Sequence, residues 1–112
     1  MSDCIFCKIA AGKIPADVVY ENENILVFKD VNPRAKIHLL MIPKQHIVSL
    51  AELDESHAAL MGQMMTLMPT LAQGQGLEAG FRTIINTGKG GGQEVFHLHI
   101  HLLGGGELPA FG

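Results

Sequence analysis

The chain of 112 residues has no tryptophan, only two cysteines and no surplus of basic side chains. Each shortage excludes something. Eight lysines and arginines against eleven aspartates and glutamates leave a formal charge of -3. The chain therefore lacks the basic face that a nucleic-acid backbone demands, although a few local groups can still hold a small phosphorylated ligand. Apolar runs are short, as from Leu39 to Ile42, far below the length that spans a bilayer. Met1-Ser2-Asp3-Cys4 carries no basic stretch followed by an apolar one, so no signal peptide is expected and the expected compartment is cytoplasmic. Two cysteines make no disulfide framework. Their spacing in Cys4-Ile5-Phe6-Cys7 suits a metal or redox pair instead. What is present is 47% hydrophobic residue, too much for a disordered tail. The length suits one domain over residues 1–112 with a single core, which at this size is stable without disulfides. Six histidines stand out, three of them between positions 97 and 101.

Patterning predicts a short helical turn from Cys4 to Ala11, closed by Gly12. Strands are expected at Val18–Glu21, Ile25–Asp30 and His38–Ile42, with polar turns between them. Asp54-Glu55-Ser56 supplies a cap and early acids for a helix reaching about Gln73. Its apolar face repeats at Leu60, Met61, Met64, Leu67, Met68 and Leu71. Pro69 should kink or divide that helix, and Gly74 and Gly76 should end it. A fourth strand is expected at Phe81–Thr87, a flexible glycine loop at Gly88–Gly92, and a fifth strand at Phe96–Leu103. Strands without a helix between each pair predict an α+β fold with an antiparallel sheet and one main helix.

The chemistry concentrates in Val95-Phe96-His97-Leu98-His99-Ile100-His101-Leu102. A strand repeats its side chains every second residue, so the three histidines are expected on one face and Leu98, Ile100 and Leu102 on the other. Neighbouring imidazoles then stand about 6.6 Å apart, a span that a phosphate and its leaving group can bridge. Two other readings share this pattern: a solvated strand face, and a three-histidine catalytic zinc site. A strand beginning at His38 can set that imidazole beside the histidine strand. Asp30 can offer two oxygens to a vicinal diol, or simply cap its turn. The glycine loop lacks the spacing and the Lys-Ser/Thr end of a P-loop. It reads as a hairpin connection whose N–H groups can approach a phosphate. The methionine stripe is core or a subunit contact.

Together these blocks resemble the histidine triad family, and within it the Hint branch. The resemblance runs from Ile5-Phe6-Cys7-Lys8-Ile9 through Ile14-Pro15-Ala16, Phe28-Lys29-Asp30, His38 to His46 and Asn86 to Gly91-Gly92-Gln93 and on to Gly105. It implies a five-stranded antiparallel sheet with a main helix and a short N-terminal helix, and a homodimer whose two sheets join into one. It implies hydrolysis of purine nucleoside phosphoramidates to a nucleoside monophosphate and an amine. Dinucleoside polyphosphate hydrolysis and a regulatory nucleotide-binding role are the alternatives, with a metal-binding module as a third class. By position, His99 is implied as the nucleophile that forms a nucleotidyl-histidine, with His101 and His38 flanking it. Asn86 and the Gly92 backbone are implied at the phosphate and Asp30 at the ribose. Ile5, Phe6, Ile9, Phe28, Val31 and Leu40 are implied around the base, although unaided most of these apolar positions read as core. Glu94 stands where many Hint relatives carry serine near the leaving group. A carboxylate there can act as the leaving-group acid or repel the phosphate. The tail after Gly105 lacks the aromatic extension of longer relatives. Cys4 and Cys7 alone say little, but the resemblance completes a four-ligand structural zinc site with His46 and His97.

Overall fold

The computed structural model describes residues 3–110. Its elements are α1 (Ile5–Ala10), β1 (Val18–Glu21), β2 (Ile25–Lys29), β3 (Ile37–Pro43), α2 (Ala58–Gly74), β4 (Arg82–Ile84) and β5 (Ile100–Gly104). The strands form one antiparallel sheet in the order β1-β2-β3-β5-β4. The expected α+β class, the five antiparallel strands, the main helix and the short N-terminal helix are all present. Among the described residues, no helix is long and apolar enough to cross a membrane.

Alternation along the strands divides the sheet into two faces. Ile25, Val27, Leu39, Met41, Ile100 and Leu102 meet Met64, Met68, Leu71 and Ala72 of α2. The same helix leaves Met65 exposed, as an amphipathic helix should. Met64 is fully buried, so truncating it to alanine costs about 2–5 kcal/mol. The opposite face collects Leu26, Phe28, Leu40 and Ile42 under Phe6 of α1. Further along that face stand His38, His101 and Leu103, because Leu40 pairs with His101 and His38 with Leu103.

α2 is closed at both ends by local chemistry. The Asp54 side chain accepts from the Ser56 N–H, and the His57 ring accepts from the Asp54 N–H. This box caps a single 3-10 turn, Glu55–His57, and the α-helix proper starts only at Ala58. At the far end, the Gly76 N–H donates to Gln73 and the Leu77 N–H to Ala72, the two bonds of a Schellman stop. Pro69 does not divide the helix, which is continuous on both sides of it. Pro69 lies on the exposed side, while Met68, Leu71 and Ala72 beside it anchor both halves to the sheet. Leu77, carried in by the stop, fits against Gly104. A methyl group at 104 would lie 2.8 Å from both Leu77 terminal carbons, inside van der Waals contact, so a side chain there requires the Leu77 tip to move aside.

Two expectations about the second half need correction. β4 is shorter than Phe81–Thr87, and β5 begins at Ile100 rather than at Phe96. His97 therefore lies in a bend, His99 in irregular chain and only His101 in the strand. The cause is non-local. The Leu98 N–H donates to the Ile47 carbonyl at 2.6 Å, and the His97 ring bonds the Pro43 carbonyl at 2.8 Å. These bonds tie the segment to the chain leaving β3 before it can join β4. Nor is the glycine run unstructured. Lys89–Gly91 make a 3-10 turn, and the Gln93 N–H donates to the Gly88 carbonyl.

Candidate active site and zinc centre

The first cluster forms where α1 meets the chain between β3 and β5. Cys4 caps α1, and its sulfur accepts from the Cys7 N–H at 3.2 Å, so the cap places both thiols one turn apart. His46 arrives just after β3, and His97 arrives from the bend before β5. Cys4 Sγ stands 3.2 Å from His97 Nδ1, Cys7 Sγ 3.2 Å from His46 Nδ1 and 3.5 Å from His97 Nδ1. The two Nδ1 atoms are 3.3 Å apart. A tetrahedral zinc with ordinary bond lengths needs its nitrogens about 3.3 Å apart and each nitrogen about 3.6 Å from a sulfur. The four donors therefore already lie near the corners of that tetrahedron.

Protonation agrees with this fit. His97 Nε2–H donates to the Pro43 carbonyl, which leaves a lone pair on Nδ1, facing the sulfurs. Burial, together with the nearby His46 and His99, holds the His97 pKa below the usual histidine value. The ring is therefore neutral at pH 7, as a ligand must be. Burial, reinforced by Cys4, pushes the Cys7 thiol up; a bound cation reverses that balance.

The second cluster faces a cleft of about 570 Å³ on the α1 side of the sheet. Asp30, His38, Asn86, Gly92, Glu94 and His101 all line it. His38 Nε2 lies 2.9 Å from His101 Nδ1 and 3.4 Å from an Asp30 oxygen. The other Asp30 oxygen accepts from the Asn32 N–H at 2.8 Å, so Asp30 caps its turn while also facing His38. Burial is the main cause that depresses the His38 pKa, against the pull of Asp30. Burial, followed by the His99 and His38 charges, pushes His101 down to about 4. Both rings are neutral at pH 7.

His99 lies beside His101 and Phe6, with ring centroids 5.1 Å and 5.2 Å away. Its Nδ1–H donates to the His97 carbonyl at 2.8 Å. A carbonyl only accepts, so Nδ1 carries a proton, and in the neutral tautomer Nε2 is the nitrogen with the lone pair. His97 thus joins the two clusters, its side chain in one and its carbonyl in the other.

The remaining apolar positions are scattered around these groups. Phe6, Phe28 and Leu40 are buried in the second core, with Ile9 packed against it. Ile5 and Val31 are exposed, Val31 at 89%. None of the six lines the cleft with the histidines. Sequence reasoning missed several groups that do, among them Arg34, Arg82 and Asn32. It also gave no role to Gln93. This buried amide accepts from the Gly88 N–H and donates to the Val48 and Val95 carbonyls, so it fixes the glycine turn. A polar residue directly after a glycine run was the available signal. Gly92 has φ +83, which excludes most side chains there. The Asn86 amide donates to the Gly91 carbonyl at 2.9 Å, which brings turn and cleft wall together.

Comparison with known proteins fits this geometry. Residues 3–107 match the family model described as scavenger mRNA decapping enzyme C-term binding. Protein HitA of Neisseria gonorrhoeae is 59% identical over 104 residues, covering 93% of this chain and 97% of its own. A 14 kDa zinc-binding protein of Zea mays is 43% identical, covering 96% and 85%. Among solved structures, a HIT family hydrolase from Legionella pneumophila superposes with a TM-score of 0.94 at 47% identity, covering 96% and 97%. A zinc-bound histidine triad family protein from Mycobacterium smegmatis superposes at 0.78 with 37% identity, covering 91% and 74%.

The chain belongs to the histidine triad (HIT) family, in its Hint-like bacterial branch. Cys4, Cys7, His46 and His97 are the ligand set of a structural zinc site.

Proposed function

We propose that this protein is a hydrolase acting at the α-phosphorus of purine nucleoside phosphoramidates. The observation that carries this reading is the orientation of His99, whose Nδ1–H is held by the His97 carbonyl at 2.8 Å. In the neutral ring the free lone pair is on Nε2; His99 itself is buried and does not line the cleft, but its ring adjoins His101, which does. The proposed catalytic residues are His99, His101 and His38. In the first step the His99 lone pair forms a bond to phosphorus, the P–N bond breaks, and the leaving amine takes up a proton. In the second step water attacks the same phosphorus and gives its proton to the group that had protonated the amine, and the His99 nitrogen leaves with its electron pair. Dividing one displacement into two lowers each barrier. Asn86 and the Gly92 backbone serve the phosphate, and Asp30 the ribose hydroxyls. Ile5 and Val31 offer exposed apolar surface to the base, backed by Phe6, Ile9, Phe28 and Leu40. Glu94, exposed in the same cleft, stands where it can protonate the amine. The HIT family hydrolase from Legionella pneumophila, 47% identical, supports hydrolysis as the reaction class.

One observation favours a second reading. Arg34 and Arg82 both line the cleft, and two guanidiniums suit a more anionic leaving group, as in a dinucleoside polyphosphate. Rapid quench with an adenosine 5'-phosphoramidate distinguishes these readings. The expected result is a transient adenylyl adduct on the His99 peptide and retention of configuration at phosphorus. Inversion, or turnover without an adduct, overturns the covalent route. Turnover confined to polyphosphates selects the second reading, and binding with no turnover of either selects a regulatory role.

The homodimer belongs to the same proposal. β4, a sheet edge of only three residues, and the exposed Phe81 and Met65 support it, since unpaired edges and apolar patches need cover. A monomer by light scattering at micromolar concentration contradicts it.

A further inference from the structure

The turn between β2 and β3 makes one bond whose logic reaches the cleft. The Arg34 backbone N–H donates to His38 Nδ1 at 3.0 Å. A backbone amide can only donate, so His38 Nδ1 must hold a lone pair. A neutral imidazole then carries its proton on Nε2. That nitrogen faces two acceptors, His101 Nδ1 at 2.9 Å and an Asp30 oxygen at 3.4 Å. The opposite direction, with His101 donating to His38, would strip His38 of both protons, and neutral water does not support that state. His101 therefore accepts on Nδ1 and carries its own proton on Nε2, the ring nitrogen that His38 does not engage.

We propose that the Arg34 backbone N–H is a positioning group. It locks His38 and His101 each in one tautomer, so that His101 presents a fixed N–H donor and the trio with Asp30 is closed to metal ions. Asp30, His38 and His101 do bring three potential ligand atoms within 4.8 Å of one another. A metal on His38 Nε2 would need the proton moved to Nδ1, where it would meet the Arg34 N–H head on. The lock therefore separates this trio from the zinc centre, where the lone pairs converge. It also limits what His101 can do. If it gave up its Nε2 proton it would become an anion, so it stabilises charge by donating a hydrogen bond. The proton for the leaving group then comes from another group, such as Glu94 or water. That consequence for catalysis rests on the phosphoramidase reading; the tautomers themselves do not.

The experiment uses zinc-loaded, 15N-histidine-labelled protein without nucleotide. Long-range 15N–1H spectra at pH 7 report which ring nitrogen bears the proton. His38 and His101 are expected as Nε2–H tautomers, in wild type and equally in Arg34→Ala, which keeps the backbone N–H. Arg34→Pro removes that N–H and is expected to release His38 into a mixture. A proton on Nδ1 of either ring in the wild type overturns the proposal. So does Arg34→Pro with unchanged tautomers. Should the proline variant not fold, the wild-type and Arg34→Ala spectra still decide. Titration with zinc alone is expected to saturate at one equivalent per chain. A second wild-type equivalent, lost in His38→Asn, overturns the exclusion of metal.

Discussion

Two pairs of histidines stand on one face of this molecule and do opposite things. At the zinc centre, His46 and His97 turn Nδ1 atoms toward each other at 3.3 Å. In the cleft, His38 and His101 meet Nε2 to Nδ1 at 2.9 Å. The distances differ by little; the protons differ completely. His97 has given its proton to the Pro43 carbonyl bond and points a lone pair inward. His38 has given its lone pair to the Arg34 N–H and points a proton inward. The atom behind each ring, a carbonyl in one case and an amide in the other, decides whether an imidazole pair binds a cation or forms a hydrogen-bonded chain.

The largest effect expected is at the residue between the pairs. His99→Ala should lower turnover by about 10³-fold or more while AMP affinity stays within a few-fold, because a nucleophile contributes mainly in the transition state. Steady-state kinetics and calorimetry check both numbers, and substantial remaining activity removes the covalent role. Next comes Cys4→Ser with Cys7→Ser. Losing the metal should lower the melting temperature by about 10 °C or more, since zinc affinity is folding free energy. Because the His97 carbonyl orients His99, this variant should also lose turnover more than AMP affinity. An unchanged melting curve together with no zinc in the wild-type protein means the centre does not act as described.

How far the sequence foretold these pairs depends on how local their causes are. β1, β2, β3 and α2 were legible because alternation and 3.6-residue periodicity act over a few residues. His38 beside His101 was legible as well, since it needs only two strands to pair. The bend at His97 was not. It exists because the Pro43 and Ile47 backbone, some fifty residues away, claims the His97 ring and the Leu98 N–H. Nothing in the alternation of positions 96–103 records that competition. Arg34 was missed for a related reason: its backbone N–H makes the lock, and side-chain identity says nothing about a backbone bond. The zinc ligands were named by resemblance, since the two cysteines and two histidines are separated by most of the chain.

A smaller effect tests the cleft alone. If Asp30 faces a ribose, 2'-deoxy-AMP should bind about 10- to 100-fold more weakly than AMP, from loss of a charge-assisted bond of about 1.5–3 kcal/mol. Asp30→Asn should erase most of the difference. Equal affinities on the wild type would leave Asp30 as the turn cap that its bond to the Asn32 N–H already makes it.

The smallest effect is in the pH dependence of stability. His101 titrates at about 4 in the folded chain against an ordinary value of 6.5. Below pH 6.5 the unfolded chain therefore takes up a proton that the folded chain refuses, and stability falls as pH drops from 6.5 toward 4. His101→Asn removes this group, so melting curves between pH 7 and 4.5 should show a shallower fall in the variant. Identical slopes would mean that His101 is not held neutral.

The close pass of Gly104 over Leu77 has a consequence for how this sequence can drift over time. A methyl group at 104 meets the leucine tip at 2.8 Å, so a side chain at 104 requires the Leu77 tip to turn away. Alanine at 104 is accommodated by a turned or a shortened side chain at 77, and a shortened 77 alone leaves a gap beside the helix stop. Changes at the two positions should therefore be correlated over time, tying helix exit and strand end together.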